Sequence, residues 1–418
     1  MRILNFVLLI LPLTLAAQSI KVIDLVTSDI VFNHYDNKIY ATTPSSAGAL
    51  GNSICIIDPV TAVVDTAVFI GSEPAKIGLS DNGEMLYVAL DGAAAVRPFS
   101  AKTRSSGQQF SLGSDPFSGP YYVEDIEVLS GSTNSIAVAL RNQGFSPKHE
   151  GVSIYDGGVA RPNTTQDHTG SNVIEIVSSN LMIGYNNETT EYGLRTIQII
   201  SNGVQETNVY RNMISGFGVD IHYSRDRIYS TYGKAIDISS GTPALLASFF
   251  EASGPVVEDT SQNLVCYAYQ DFWGDEVLIK RYSAINFILK DTLVISDSLT
   301  SGDVLNLISW GANGNLAYNT SAGKLVIIDQ TGLSVEESEV DIDLKIFPNP
   351  TSDYLTLYGQ PQHGAIQILI TSSSGEVLAR NSVIELPYKM DLSRYNPGVY
   401  FLRVASGQFS VTKKLLKQ

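Results

Sequence analysis

Polar side chains stand directly before an apolar residue at five widely spaced positions. They are Asp29, Lys76, Asp125, Asp220 and Asn306, and each is followed by Ile or Leu. If the strands that carry them surround one axis, three carboxylates, one ammonium and one amide converge there. Such oxygen-rich groups suit Ca²⁺ or a polar group of a ligand. The alternative is a network of salt bridges and water that plugs the space between the strands.

Aromatic residues suggest a second kind of site. Residues 269–275 read as a polar loop that carries two bulky rings, Phe272 and Trp273. A buried strand does not need these rings, so the loop is a candidate contact surface, for example one that stacks on a sugar. Other tyrosines, among them Tyr121, Tyr122 and Tyr267, are explained better by packing within strands than by contact with a sugar.

Familiar catalytic motifs are absent from the sequence. The five histidines include no pair at metal-ligand spacing, and there is neither a Gly-x-Ser-x-Gly motif nor a phosphate-binding glycine loop. An enzyme that assembles its site from scattered loops would leave no such motif. An enzyme therefore stays as an alternative.

Composition and charge narrow the function classes. The chain has 42 Asp and Glu against 27 Lys and Arg, a formal net charge of -15, so it offers no broad cationic surface for nucleic acid or anionic lipid. Charged residues are only 17% of the chain, while Gly, Tyr and Phe are plentiful, which favours strands and turns. Disorder and coiled coil are excluded.

The first residues predict export. Met1 and Arg2 precede an apolar stretch from Ile3 to Leu15 and two alanines, a pattern typical of a secretory signal peptide over residues 1–17. Thirteen residues are too few to span a bilayer as a helix, and no later segment comes close, so we expect no transmembrane segment in the mature protein. The two cysteines, Cys55 and Cys266, lie in apolar runs and are expected to be buried thiols.

An internal repeat organises residues 18–332. A turn residue followed by a short apolar or aromatic strand occurs seven times, ending at Tyr40, Tyr87, Ala137, Met182, Tyr229, Val265 and Ala317. The intervals range from 36 to 52 residues, the length of a four-stranded propeller blade. The pattern predicts an all-β fold, a seven-bladed β-propeller, with six or eight blades as alternatives. The segment from Ile20 to Val26 is expected to complete the last blade and so close the ring.

The second repeat carries a family resemblance. Residues 73–88 contain Pro74 at the start of a strand, the turn Asp81, Asn82 and Gly83, and an aromatic strand ending in Tyr87 and Val88. This stretch resembles the YVTN-type repeat of bacterial propellers.

The chain changes character after residue 332. Residues 333–342 contain four acids and read as an exposed linker. Residues 343–418 contain eight Lys and Arg against five Asp and Glu, a net charge of +3, whereas the rest of the mature chain is strongly acidic. Their short alternating runs predict a small immunoglobulin-like sandwich.

This last region resembles the C-terminal sorting domain of the type IX secretion system of Bacteroidetes. The motifs that carry the resemblance contain Phe347, Pro348, Asn349 and Pro350 at the start, Gly398 and Tyr400 later, and Lys413 and Lys414 near the end. The resemblance implies the type IX secretion machinery as a partner. It also implies passage through the periplasm, and delivery to the cell surface or the medium with removal of the domain.

The sequence thus favours an exported propeller that acts as a non-catalytic binding module, with a glycan or a protein as its unidentified ligand. The alternative is a propeller hydrolase or lyase that acts on an extracellular polysaccharide or peptide. Carboxylates, or a carboxylate and a histidine, converging in an open pocket would indicate an enzyme. A plugged channel with exposed aromatic loops would indicate a binding module.

Overall fold

The computed structural model describes residues 19–249, 251–270, 276–296, 302–330, 345–358, 366–372, 377–383, 386–406 and 409–418. The chain divides into two compact units, residues 1–333 and 334–418. The signal peptide, the acidic linker at 333–342, and Phe272 and Trp273 are predictions that lie outside the described residues.

The first unit is a β-propeller. Within the described part of the chain it contains seven antiparallel sheets, called blades 1 to 7, each built from strands named inner, second, third and outer. In blades 1 to 6 the strands follow one another along the chain. The seven-bladed all-β fold predicted from the repeat is therefore confirmed.

The bounds of the strands of blades 1 to 4 are as follows. Blade 1 contains Asp29–Asn33, Lys38–Thr43, Ser53–Asp58 and Val63–Phe69. Blade 2 contains Pro74–Leu79, Met85–Leu90 and Ala95–Ser100, with two short outer strands, Ser105–Ser106 and Phe110–Ser111. Blade 3 contains Tyr122–Val128, Ser135–Arg141, His149–Asp156 and Val159–Ala160. Blade 4 contains Val173–Ser178, Leu181–Tyr185, Leu194–Ile200 and Gly203–Tyr210.

The remaining blades, and two short elements in loops, complete this unit. Blade 5 contains Ile221–Ser224, Arg227–Ser230, Lys234–Asp237 and Ala244–Ser248. Blade 6 contains Val256–Asp259, Leu264–Gln270, Glu276–Ser283 and Leu289–Ser296. Blade 7 contains Val304–Ser309, Leu316–Thr320, Lys324–Asp329 and, as its outer strand, Ser19–Asp24. A 3₁₀ helix covers Ser45–Leu50, and a small hairpin joins Ser114–Asp115 to Gly119–Pro120.

The N-terminal strand closes the ring, as the sequence predicts. Ser19–Asp24 pairs antiparallel with Lys324–Asp329 over six residues, from Ser19 opposite Asp329 to Asp24 opposite Lys324. The Leu25 N–H then donates to the Gly323 carbonyl at 3.0 Å. Because backbone hydrogen bonds join the two ends of the repeat region, the ring has no open seam at blade 7.

The hydrophobic core lies between blades. In the described residues, one apolar cluster occupies each of the seven interfaces between neighbouring blades, including the interface of blade 7 with blade 1. Each blade thus buries both faces against its neighbours, which a single four-stranded sheet cannot do alone. Cys55 and Cys266 are free, buried thiols in two of these clusters, as predicted.

The turn of blade 2 shows how local sequence sets the strands. Pro74 begins the inner strand, and Gly83 adopts a φ of 70° in the turn that follows it. A Cβ on Gly83 would lie 2.2 Å from Asn33 Oδ1 of blade 1, so glycine is required by both its φ and its close neighbour. Asn33 Nδ2 donates to the Gly83 carbonyl at 2.8 Å and links blades 1 and 2.

The second unit is a small β-sandwich. One sheet contains Lys345–Phe347, Tyr354–Tyr358 and Tyr388–Asp391. The other contains, in spatial order, Val377–Val383, Ile366–Ser372, Gly398–Ser406 and Phe409–Lys417. Leu355, Leu357, Ile368 and Leu402 pack in a shared core between the two sheets.

Candidate functional site

The five polar residues singled out in the sequence line one cavity. The inner strands of blades 1, 2, 3, 5 and 7 position Asp29, Lys76, Asp125, Asp220 and Asn306. Asp29 lies at the start of its strand and Asp220 directly before its strand, Lys76 and Asn306 are third residues, and Asp125 lies in the middle of its strand. They face a cavity of about 530 Å³ at the centre of the ring, which we call the channel. We call the end of the propeller where the inner strands begin the mouth face. The structure therefore brings all five residues together.

Strand periodicity places further polar groups deeper in the channel. Side chains two residues apart on a strand point the same way, so Glu127 follows Asp125 and His222 follows Asp220 along the channel wall, with Glu175 on the strand between them. The intervening residue, such as Ile126 or Ile221, is buried between blades. Alternation applied to the inner strands would have identified Glu127, Glu175 and His222, which the sequence analysis missed.

The aspartates also tie neighbouring blades together. Asp29 Oδ1 accepts the N–H of Ile30 at 2.8 Å, and its Oδ2 accepts the N–H of Ile77 in blade 2 at 2.9 Å. Asp125 accepts the N–H of Ile126 at 3.0 Å and that of Ile174 in blade 4 at 2.8 Å. These bonds hold both carboxylates in one orientation at the channel wall.

Asp220 and Asn306 are held differently. Asp220 Oδ1 accepts the N–H of Ile221 at 2.8 Å, and the Asp220 N–H donates to Thr231 Oγ1 at 3.0 Å. Asn306 Nδ2 donates to the Ser28 carbonyl at 3.4 Å and to Asn319 Oδ1 at 3.1 Å. Asn306 therefore links blade 7 to the segment that leads into blade 1 and contributes to ring closure.

Lys76 supplies the positive charge of the channel mouth. Burial lowers its pKa, but the carboxylates of Asp220, Asp125 and Asp29 outweigh burial, so its pKa lies above the ordinary value and the side chain stays an ammonium. Within the described part of the chain, Lys76 makes no hydrogen bond and no ion pair. Its charge is thus available to a ligand group that enters the channel.

Asp125 and the two deeper acids hold their protons more tightly than usual. Burial raises the pKa of Asp125 to about 6, with Lys76 opposing the shift. Burial, and then the neighbouring acids, raise the pKa values of Glu127 and Glu175 well above normal. Burial lowers the pKa of His222, whose Nδ1 lies 3.9 Å from Glu175 Oε1. The channel therefore offers both hydrogen-bond donors and acceptors near neutral pH.

The acids of the channel are spread around its wall. Among the residues that the structure describes, no three His, Cys, Asp or Glu side chains lie close enough together to hold a metal ion. Calcium binding at the mouth stays a prediction. The expectation that the protein has no cofactor stays a prediction as well.

Exposed aromatic side chains lie in mouth-face loops of blades 3 to 5. Phe117 and Phe217 lie in loops that lead into inner strands, and Phe145 and Tyr232 lie between second and third strands. Because antiparallel strands alternate in direction, all these loops reach the mouth face. The four side chains are 47–94% exposed, and Tyr232 lines the channel itself. Exposed rings in this number are typical of a contact surface.

The tyrosines considered in the sequence have packing roles. Tyr267 is fully buried between blades 5 and 6, and Tyr121 packs against the cluster between blades 2 and 3. The ring of Tyr122 lies beneath the Arg141 guanidinium at 5.4 Å, and Lys280 lies 5.3 Å from the ring of Tyr269. The sequence analysis missed the rings that are exposed at the mouth, because they lie in loops with no repeated spacing.

One residue of the sorting motif makes hydrogen bonds within the second unit. Asn349 Nδ2 donates to the Lys414 carbonyl at 2.7 Å, and Asn349 Oδ1 accepts the Leu416 N–H at 2.9 Å. This amide ties the segment after the first strand to the last strand. Phe347, Pro348 and Pro350 are exposed like Asn349.

The later motif residues lie on the two long strands. Gly398 begins its strand without a positive φ, and a Cβ there would meet only the Tyr400 ring at ordinary distance. Tyr400 packs against Tyr395 and donates from its hydroxyl to the Asn396 carbonyl at 2.7 Å. Lys413 and Lys414 lie opposite Leu402 and Phe401 in the register.

No helix in the described residues has the length and apolar character needed to cross a membrane.

Comparisons with known proteins address both units. The first resembles the crystal structure of the Myceliophteria thermophila Cps50 (Swd1) β-propeller domain, with a TM-score of 0.57 and 14% identity over 75% of this chain and 99% of that chain. This likeness concerns the fold alone. No curated protein matches the chain. Residues 345–418 match the family model of the secretion system C-terminal sorting domain, which implies export through the type IX secretion machinery to the cell surface or the medium.

Proposed function

We propose that this protein is an exported binding module, which captures an extracellular ligand at the mouth face of the propeller and does not transform it. In this proposal a signal peptide is removed after Ala17, the sorting domain delivers the chain, and the propeller acts at the surface or in the medium. The organism would be one of the Bacteroidetes, and the repeats would be of the YVTN type.

A single observation carries the proposal. The polar side chains of five inner strands line one central cavity of about 530 Å³, and exposed aromatic rings lie on the mouth face. Carboxylates accept hydrogen bonds from hydroxyl or ammonium groups, and aromatic rings stack on sugars or on peptide side chains. A glycan or a protein segment with hydroxyl or cationic groups fits both features.

The bonding of the aspartates favours binding over catalysis. Both oxygens of Asp29 and of Asp125 already accept a backbone N–H, so these groups are held as fixed acceptors. A catalytic acid or base has to exchange a proton with a substrate, which such bonding opposes.

Two substitutions that flank the inner strand of blade 5 test the proposal. Asp220→Asn removes a charge at the mouth and keeps the Oδ1 acceptor, whereas Asp226→Asn removes a charge at the opposite end of that strand. Asp226 has a φ of 59°, which asparagine tolerates. The probes are neutral β-glucan hexamers, a chitosan hexamer and a lysine-rich peptide, titrated calorimetrically into the full mature chain.

We expect at least one probe to bind. Its Kd should rise by roughly tenfold in Asp220→Asn, because a charge-assisted hydrogen bond contributes about 1.5–3 kcal/mol. Asp226→Asn should bind like the wild type. If no probe binds, or if both variants bind equally well, the mouth is not the binding site for these ligand classes.

The channel is an open cavity lined by acids and a histidine and not a plugged one, which is the arrangement that the sequence analysis expects of an enzyme, so an enzyme is the second candidate. Glu175 Oε1 lies 3.9 Å from His222 Nδ1 in an open cavity, which is the kind of pair expected of a hydrolase or lyase. Incubation of polysaccharides and peptides with the wild type and with Glu175→Gln decides between the candidates. Turnover by the wild type that is lost in the variant would establish an enzyme and refute the binding proposal.

A further inference from the structure

The outer face of the three-stranded sheet in the sorting domain is unusually aromatic. On the middle strand, Leu355 and Leu357 point into the core, while Tyr354 and Tyr358 are 48% and 46% exposed. Phe347 lies opposite Thr356 on the neighbouring strand and is 69% exposed. The solvated face of an antiparallel sheet is normally polar. Three large exposed rings on such a face therefore indicate an interaction site.

Basic residues accompany these rings. Lys345 lies opposite Tyr358, and Lys389 lies opposite Thr356 on the third strand. The Lys389 ammonium lies 4.2 Å from the centre of the Tyr354 ring, within the range of a cation–π contact. We call this surface, formed by Phe347, Tyr354, Tyr358, Lys345 and Lys389, the aromatic–basic face. One acid, Asp391, lies at its margin opposite Tyr354.

In the motif at the start of the domain, one residue stabilises the fold and another is left exposed. Asn349 uses its amide within the domain to hold the last strand, so the fold accounts for it. Phe347, two residues earlier, leaves most of its ring in solvent. Phe347 contributes little to packing in the domain, so we expect its ring to serve in recognition by another molecule.

We infer that the sorting domain docks on the secretion machinery through the aromatic–basic face, and that the partner is a protein surface carrying apolar groups and carboxylates. Charge complementarity selects this partner, because the domain carries a net charge of +3 and its face presents two lysines beside the rings. Tyrosine is among the residues that dominate protein interfaces, and lysines at the edge of such a patch steer an acidic partner toward it. The inference rests on export by the type IX route.

The test measures surface delivery of the full chain in a host that has a type IX system. The double variant Phe347→Ser, Tyr354→Ser removes two rings, and Lys345→Glu, Lys389→Glu reverses the charge. The matched control is Phe401→Ser, because Phe401 is a 40% exposed ring that lies opposite Lys414 on the other sheet. Thermal melting of the purified full chains shows whether each variant remains folded.

We expect the surface fraction of both double variants to fall at least tenfold, with the chain accumulating in the periplasm and melting as the wild type does. Phe401→Ser should be delivered normally. Normal delivery of the double variants would overturn the inference, and so would equal loss in the Phe401→Ser control. Wild-type chain retained in the periplasm would instead refute type IX export itself.

A second measurement separates a protein partner from an anionic lipid surface. Purified wild-type chain is mixed with vesicles that contain lipopolysaccharide and with vesicles of neutral phospholipid. Little binding to either supports a protein partner. Binding to the lipopolysaccharide vesicles that is lost in Lys345→Glu, Lys389→Glu would assign the face to lipid and overturn the inference.

Discussion

Asp29→Ala tests the idea that channel aspartates hold neighbouring blades together. The side chain is buried, and it accepts the N–H groups of Ile30 in its own strand and Ile77 in blade 2. Both donors belong to residues that are themselves buried. The substitution therefore leaves two buried backbone N–H groups without their acceptor.

The magnitude follows from these two bonds. A hydrogen bond to a charged group contributes about 1.5–3 kcal/mol, and an orphaned buried donor costs a similar amount. Burial raises the pKa of Asp29, which shows that ionising this carboxyl is costly in the folded state and offsets part of the gain. We expect a net loss of about 2–4 kcal/mol, which lowers the Tm by roughly 3–6 °C in a domain of this size.

Calorimetric melting of the mature chain at pH 7 measures this loss. The control is Asp24→Ala, because Asp24 is 84% exposed and forms only a surface ion pair with Lys324. Such a pair contributes at most about 1 kcal/mol. If Asp29→Ala melts within a degree of Asp24→Ala, the bond between blades 1 and 2 does not stabilise the ring and the reasoning is wrong.

Three further predictions concern pH, ring closure and the thiols. Because burial raises the pKa of Asp125 to about 6 from an ordinary value of 3.8, the folded state binds more protons than the unfolded state in this window. The wild type should therefore lose stability relative to Asp125→Asn as the pH rises from about 4 to about 6, so the difference between their Tm values should fall. A constant difference would contradict the raised pKa of Asp125. Deletion of residues 19–24 removes the outer strand of blade 7 and should lower the Tm by at least about 10 °C in calorimetry, whereas a chain that starts at residue 19 should melt normally. Burial raises the pKa of Cys266 to about 12 and also raises that of Cys55. Neither thiol should therefore react with Ellman's reagent until guanidinium unfolds the chain. Rapid labelling of the native protein would show that the blade interfaces open.

Much of the fold is readable from the sequence because its signals are local. A turn followed by an aromatic strand, as in the segments ending at Tyr40 and Tyr87, repeats at the length of one blade. Four-stranded blades must stack to bury both faces, so the repeat predicts a ring as well as its strands. The strand left over before blade 1 predicts the closure that Ser19–Asp24 makes.

The candidate site is only partly readable in this way. The column from Asp29 to Asn306 was found because each member stands before an apolar residue of an inner strand. Glu127, Glu175 and His222 follow from the same alternation when it is continued along the inner strands.

Tertiary structure alone decided the partners of these groups. Asp29 and Asp125 bind N–H groups 48 and 49 residues away, across an interface between blades, and no spacing within one repeat encodes such a contact. The rings of Phe117, Phe217 and Tyr232 lie on one face because the loops that carry them end there. Sequence periodicity thus determined which strands form and in what order, since strand pairing is local. The positions of groups around the axis depend on how the blades pack, so only the folded ring decided them.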